Sequence, residues 1–400
     1  MIAYYFCTNP FMADRAYITP KVLKWARETA HMSADVAASK VSVSAEKLEE
    51  WEEGISLPTI HQAENLAKAY RRPFAMFFLP DIPNDFLPLQ DFRKKDARPL
   101  GTASVFIIRE MQQKQEWISE MLQENLGEPL PFVGRYTINN DPLEVADDII
   151  KVLKINHAQY TSNVIRDWID KAEANGIFVS RTSFIHSRLK LDSEEIQGFA
   201  IADVYAPFIF INSDDWPAAQ LFTLVHELAH IWIAESGISN ETEISTGHKD
   251  KLHPVELFCN EVAANALMPS ALMNTIDRKL LATSKSVFNV AKKLGVSSIS
   301  LAIRALNLQL ISPIHYHRLK NEIELDFLEF KKKEEEKMEK QKTNEGGPNY
   351  YVLQLQKNGK LFTQMVLDAF RGGLIEPTLA SLLLNVKTNK FSSLESRMNL

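Results

Sequence analysis

Runs of apolar residues with helical spacing cover most of this chain, and short apolar runs of strand type occupy one region near its middle. Long helices are predicted at residues 104–126, 142–153 and 162–174. Strands are predicted at residues 176–180, 198–203 and 207–212, which read GIFVS, GFAIAD and PFIFIN. The last of these is expected at a sheet edge, where an extended peptide can pair with it. The pattern therefore predicts a mostly helical α+β fold with a small mixed sheet.

The N-terminal region alternates short helical runs with helix-capping residues. Ser33 and Ser44 are predicted to cap the second and third of five short helices between residues 18 and 79. Gly54 is predicted to end the third helix. A tight turn at residues 41–43 separates the second helix from the third, which is the layout of a helix-turn-helix bundle. We therefore predict a five-helix bundle over residues 15–80.

Residues 81–135 are predicted as a linker rich in proline and charge, followed by the long amphipathic helix. The only distinctive feature of this linker is the trio Asp91, Phe92 and Arg93, for which a packing contact anchored by the arginine is the default interpretation.

Beyond residue 315 the pattern changes to mixed charge and then to a small terminal unit. Residues 316–348 are predicted as a charged helix and linker, because KKK is followed by EEE and then by EGGP. Residues 349–400 are predicted as a small α/β unit, in which YYVLQL forms a strand ahead of two helices. A second helix-turn-helix pattern lies at residues 287–306, where packing against the preceding domain is favoured over DNA binding.

Composition excludes several classes of protein. The hydrophobic content of 45% is enough for the cores of two or three domains, and the net charge of −6 gives no global basic surface for nucleic acid. The two cysteines, Cys7 and Cys259, are far apart in sequence, so a reducing cytoplasm is expected rather than a structural disulfide. No N-terminal signal and no run of 18 apolar residues occur, so we expect neither secretion nor membrane insertion.

The segment LFTLVHELAHIWIA, from Leu221 to Ala234, is predicted as a buried helix that contains three polar residues in its apolar run. His226 and His230 are four residues apart and therefore share one face, with Glu227 close to the same opening. Two imidazoles at this spacing suit Zn²⁺, and the carboxylate can take a proton from water that the metal activates. An ordinary core helix with three polar residues is less favoured, because an uncompensated buried carboxylate costs several kcal/mol.

A third metal ligand is expected on the helix predicted from Pro254 to Met268. Glu256 is the chosen ligand, and Asn260, four residues later on the same face, is expected to hold a ligand imidazole in its tautomer. Glu261 is the competing carboxylate, but it points about 140° away from Glu256 around the helix. His253 is a candidate oxyanion stabiliser, and His248 and His253 are otherwise interpreted as exposed loop histidines.

The N-terminal region resembles the XRE-type helix-turn-helix family over about sixty residues. The matching positions are Leu23, Arg27, Val36, Ala37, Leu48, Trp51, Glu52, Gly54 and Pro58. Ser44 and Lys47 are the candidate DNA-contacting residues that this resemblance implies. The helix that should enter the major groove is acidic, with five glutamates against Lys47, and phosphate contacts require positive charge. A protein-docking role for this bundle therefore stays open beside DNA binding.

The two metal-binding segments, FINSDDWPAAQLFTLVHELAHIW and ELFCNEVAANALMP, resemble the ImmA/IrrE family of metallo-endopeptidases. Within the second motif Cys259, Val262 and Ala266 replace the family's usual residues, all by packing changes. The resemblance implies a zincin-like peptidase domain, assigned here to residues 136–315. It also implies Zn²⁺ on His226, His230 and Glu256, with Glu227 as general base. The expected substrate is a transcriptional repressor in a mobile-element or stress-response circuit.

Two other functions remain open from the sequence. One is a non-catalytic DNA- or protein-binding regulator whose metal site is structural or sensory, and the other is an antitoxin that neutralises a partner by binding it. Glu227 discriminates between these functions and proteolysis, because a purely structural site has no use for a free carboxylate beside an open coordination position.

Overall fold

The computed structural model describes residues 14–86, 88–92, 98–186, 189–239, 253–341 and 349–398. The chain divides into two compact units: residues 1–87 with 99–110, and residues 88–98 with 111–400. The structure is mostly helical with a small mixed sheet, as the sequence pattern predicts. No helix among the described residues is both long enough and apolar enough to cross a membrane.

The described part of the first unit contains short helices. They are α1 (Pro20–Thr29), α2 (Ala34–Ser39), α3 (Ala45–Glu52), α4 (Ile60–Tyr70) and a 3-10 helix (Phe74–Phe78). Of these, α2, α3 and α4 have side-chain caps. Ser33 and Ser44 accept hydrogen bonds from the backbone at the starts of α2 and α3. Gly54 has a φ of +77°, which suits the residue after a helix end. Helix α5 (Thr102–Glu124) contains the boundary between the two units.

The five-stranded sheet of the second unit has the order β1-β7-β5-β6-β2. Its strands are β1 (Gln90–Asp91), β2 (Phe178–Thr182), β5 (Gly198–Ile201), β6 (Phe208–Asn212) and β7 (Gly237–Ser239), while β3 (Phe184–His186) and β4 (Leu189–Lys190) form a separate antiparallel pair. The β1–β7 and β2–β6 pairs are parallel, and β5 is antiparallel to both β6 and β7.

Strand β6 corrects one sequence prediction. We expected residues 207–212 at a sheet edge, but β6 pairs with β5 on one side and β2 on the other. All five of its residues are buried, which is why the run FIFIN is continuously apolar instead of alternating.

Helices surround this sheet and supply most of the core of the second unit. They are α6 (Pro142–Leu153), α7 (Val164–Ala174), α8 (Pro217–Trp232), α9 (Pro254–Leu267), α10 (Ser270–Asn274), α11 (Ser284–Leu294), α12 (Ser298–Asn307) and α13 (Pro313–Gln341), with short 3-10 helices at His157–Gln159 and Arg278–Leu281. The core joins side chains of α6, α7, α8, α9, α11 and α12 in one cluster. The pattern at residues 287–306 therefore belongs to the packed interior of this unit, as the sequence favoured.

The C-terminal residues are helical, and the strand predicted for YYVLQL is wrong. This segment begins α14 (Tyr350–Asn358), which is followed by α15 (Lys360–Arg371), α16 (Pro377–Leu384), α17 (Phe391–Glu395) and a 3-10 helix at Thr388–Lys390. The side chain of Asn349 caps α14, and this cap favours a helix where the short apolar run alone was ambiguous. In the described part, this unit is therefore α-helical rather than α/β.

Two polar contacts fix the end of α14, one to strand β2 and one to helix α5. The hydroxyl of Ser180 on β2 donates to the carbonyl of Lys357 at 2.6 Å, and the ammonium group of Lys114 donates to Asn358 Oδ1 at 2.9 Å. Glu173 accepts a hydrogen bond from the backbone N–H of Leu361 at 3.3 Å. This bond gives a partner to one of the free N–H groups at the start of α15, because the cap residue of that helix, Gly359, has no side chain to accept it.

Candidate metal centre

Helix α8 carries the HExxH motif and is buried from Gln220 to Trp232. Pro217 stands in its first turn, where a missing backbone N–H costs nothing, and the apolar run that follows packs into the core. His226 and His230 come from successive turns of this helix and are fully buried, as is Glu227.

Helix α9 brings the third group to the same place. Pro254 again stands in the first turn, and Ala263 and Ala266 are buried small residues in the core that α8 and α9 share. Glu256, in the first turn of α9, is only 2% exposed. Close packing of the two helices thus places one carboxylate opposite two imidazoles.

The ligand atoms of these three residues lie within hydrogen-bond distance of one another. His226 Nε2 is 3.1 Å from His230 Nε2 and 3.2 Å from Glu256 Oε2, while His230 Nε2 is 3.1 Å from Glu256 Oε1. A tetrahedral zinc ion with bonds of about 2.0–2.1 Å places neighbouring ligand atoms about 3.3 Å apart. The spacing therefore fits a small tetrahedral cation, and this is the one such group of histidine, cysteine and acidic side chains among the described residues.

Asn260 fixes the proton position on His226. The Nδ1–H of His226 donates to Asn260 Oδ1 at 2.9 Å. The lone pair of the neutral imidazole is then on Nε2, where it faces the lone pairs of Glu256. Electron-pair donors that face one another in a buried space repel unless a proton or a cation lies between them, so this arrangement favours either a shared proton or a bound cation.

Charge coupling within the cluster is strong. Burial alone would raise the pKa of Glu256, but the two imidazoles lower it to about 2. Burial disfavours the charged form of His226, yet the nearby Glu256 carboxylate raises its pKa above the ordinary value. The pKa of His230 is lowered, mainly by burial. Glu256 is therefore ionised at neutral pH and is available as an anionic ligand.

Glu227 has a different environment from Glu256. Neither of its carboxylate oxygens has a hydrogen-bond partner within the described residues, although both are buried. Burial raises the pKa of Glu227 to about 8, and the charge of Glu256 acts in the same direction. A buried carboxyl group without partners is costly, and a positive charge beside it would offset that cost.

Two contacts of this centre come from residues that the sequence did not single out for the metal site. The hydroxyl of Ser239 on β7 donates to Glu256 Oε1 at 3.3 Å. The ring of Phe92 stacks on the ring of His230, with centroids 5.4 Å apart. The short strand β7 and the linker that carries Phe92 have no local sequence pattern that predicts these two contacts. Each contact depends on strand pairing between segments that are distant in the sequence.

The remaining candidate residues lie elsewhere or have other partners. His253 is exposed and caps α9, since its Nδ1 accepts a hydrogen bond from the Val255 N–H at 3.3 Å. Glu261 is exposed on α9. His248 and Arg93 fall outside the described residues.

Ser44 and Lys47 both have partners within the first unit. The Ser44 hydroxyl caps α3 by accepting from the Lys47 N–H at 3.3 Å, and the Lys47 ammonium group forms an ion pair with Glu50 at 2.5 Å.

Comparison with known proteins relates this site to a family of peptidases. Residues 172–306 match the model of Peptidase_M78, described as the IrrE N-terminal-like domain. The radiation response metalloprotease IrrE of Deinococcus deserti is 32% identical over 113 residues, which cover 27% of this chain and 38% of that protein. The protein of the same name from Deinococcus radiodurans is 30% identical over 109 residues, covering 27% and 33%. The chain thus spans only about a third of the length of these relatives, and its residues 172–306 are similar to the IrrE N-terminal-like domain.

Proposed function

We propose that this protein is a zinc-dependent endopeptidase that cleaves a specific regulatory protein. The observation that carries the proposal is the His226–His230–Glu256 cluster, with ligand atoms 3.1–3.2 Å apart and an unpartnered Glu227 beside it. The match to an IrrE N-terminal-like domain and the two relatives that are named metalloproteases support the same conclusion.

In this mechanism His226, His230 and Glu256 hold the metal, and Asn260 orients His226. Zinc bound there supplies Lewis-acid chemistry, which lowers the pKa of water and polarises a peptide carbonyl. Glu227 accepts the proton of the attacking water and delivers it to the leaving amine. Its pKa of about 8 falls when a cation lies nearby, so the carboxylate is then free to act as a base. His253 remains our candidate for stabilising the carbonyl oxygen.

The substrate we propose is a transcriptional repressor in a mobile-element or stress-response circuit, encoded near this protein. The helices of the first unit are the proposed helix-turn-helix module, which would bind DNA or dock the substrate. The acidic surface of α3 favours docking, because the exposed side chains of Glu46, Glu49 and the adjoining Glu53 repel the phosphate backbone.

Glu227→Gln tests the proposal, because it keeps the shape of the side chain and removes the base. We expect the variant to retain about one zinc ion per chain and to lose cleavage by at least a hundredfold. Glu261→Gln is the matched control, since it removes an exposed carboxylate from α9. The measurements are metal content and cleavage of proteins encoded beside the gene.

The competing function is a non-catalytic regulator or antitoxin-like binding protein with a structural metal site. The short capped helices of the first unit, which suit a binding module, favour it. Equal regulation by the parent and by Glu227→Gln, with a stoichiometric partner that stays uncleaved, would establish that function instead.

A further inference from the structure

A segment of the linker belongs structurally to the metal-binding unit. Residues 90–92 lie some 80 positions before the matched region 172–306, yet they add strand β1 to the edge of β7. Gln90 pairs with Gly237 and Asp91 with Ile238, and the backbone N–H of Phe92 donates to the Ile238 carbonyl at 3.1 Å. The strand pairing therefore fixes where the Phe92 side chain emerges.

The ring of Phe92 lies directly against the backbone of β7. A Cβ atom on Gly237 would be 2.1 Å from Cε2 of that ring, so only glycine leaves room for it. Phe92 is 2% exposed. Its position is thus fixed by the strand on one side and by the protein interior on the other.

This ring covers one face of His230. The two rings are 20° from parallel with centroids 5.4 Å apart, and the ring of His253 lies 5.1 Å from Phe92. The two ligand histidines are therefore held differently. His226 has the Asn260 side chain on its Nδ1, whereas among the described residues His230 has no side-chain partner at Nδ1, and the backbone of Glu235 acts on its ring.

We propose that Phe92 is a positioning residue of the metal centre. Its ring stacks on His230 and sets the plane of that imidazole, as the hydrogen bond to Asn260 orients the imidazole of His226. The inference rests on the metal site of the proposed function and adds to it a residue from outside the peptidase sequence match. A ligand imidazole that is free to tilt binds its metal less tightly, and loss of an outer contact of a ligand typically costs 10–100-fold in metal affinity.

Phe92→Leu in the full-length chain tests this, because leucine retains a large apolar side chain but cannot stack. Phe132→Leu is the matched control. Phe132 is 4% exposed and stacks on Trp232 of the same helix α8, with centroids 4.5 Å apart. The probes are Zn²⁺ in competition with a chelator and Co²⁺, whose visible absorption reports ligand geometry. Far-UV circular dichroism checks that both variants fold.

We expect Phe92→Leu to bind Zn²⁺ about tenfold more weakly and to change the Co²⁺ spectrum, with Phe132→Leu close to the parent in both. Parent-like affinity and spectrum for Phe92→Leu, or an equal loss in Phe132→Leu, would overturn the inference alone. A parent protein that binds no Zn²⁺ would instead overturn the proposed function and this inference with it.

Discussion

Replacement of Gly198 by alanine should force β5 away from the helix that carries Glu227. The added Cβ would lie 2.5 Å from Thr223 Cγ2 and 3.0 Å from both Glu227 Oε1 and the Phe210 carbonyl oxygen. Carbon atoms in contact are normally about 3.5–4.0 Å apart, so the closest pair is too near by about 1 Å. Thr223 is not free to rotate, because its hydroxyl donates to the Ala219 carbonyl at 3.0 Å.

The expected cost follows from these contacts. Overpacking a well-packed core by one methyl group costs about 1–3 kcal/mol, and breaking the Thr223 hydrogen bond instead would cost about 1 kcal/mol. We therefore expect Gly198→Ala to lower the free energy of unfolding by about 2 kcal/mol. It should also reduce the cleavage that we propose for this protein, since the same Cβ lies against the Glu227 carboxylate.

Thr223→Ser provides the test, because serine keeps the hydroxyl and lacks Cγ2. Alone it should cost about 1 kcal/mol for the lost methyl group. In the Gly198→Ala background it should instead recover stability, so the two changes should be coupled by at least about 1 kcal/mol. The assay is urea denaturation of the parent, both single variants and the double variant, followed by tryptophan fluorescence. Additive effects would refute the packing argument.

Two further predictions concern buried carboxylates. Burial raises the pKa of Glu173 to about 7, so the folded state holds a proton that the unfolded state loses above its pKa of about 4.5. The free energy of unfolding should therefore fall by roughly 3 kcal/mol as the pH rises from 4.5 to 7. Glu173→Gln should remove most of that fall, which denaturation at pH 5 and pH 8 would measure. An unchanged pH profile in this variant would contradict the prediction. Arg27 binds both oxygens of Glu52, which is nearly inaccessible. Glu52→Ala should cost about 3–5 kcal/mol, against less than about 1 for Glu50→Ala, whose side chain is partly exposed, and equal melting temperatures would contradict this.

The parts of the fold that the sequence predicted are those that local chemistry determines. The helix that carries Glu256 was predicted to begin at Pro254, and the structure starts it there. The HExxH helix was predicted from its apolar run at residues 221–234, and the structure extends it back to Pro217. The caps at Ser33 and Ser44 were readable for the same reason, since a cap is a contact between residues three positions apart.

The errors arose where distant segments decide the structure. YYVLQL is too short for its period to separate strand from helix, and its helix is stabilised by Asn349 and by contacts of Lys357 and Asn358 with β2 and α5. The position of β6 inside the sheet depends on which strands flank it, and a single apolar run carries no information about that.

The same limit explains why one face of the sheet was not recognised as part of the metal centre. Gly198 pairs with Ser239 and Ala200 with Gly237, and opposed residues of paired strands point to the same side. On β5 and β7 that side therefore presents only small side chains: Gly198 admits Glu227, Ser239 reaches Glu256 and Gly237 admits Phe92. Because side chains alternate along a strand, a register shift of one residue in β7 would place Ile238 there instead. The metal centre thus depends on strand register as well as on the two helices, and the sequences GFAIAD and GIS do not encode that register locally.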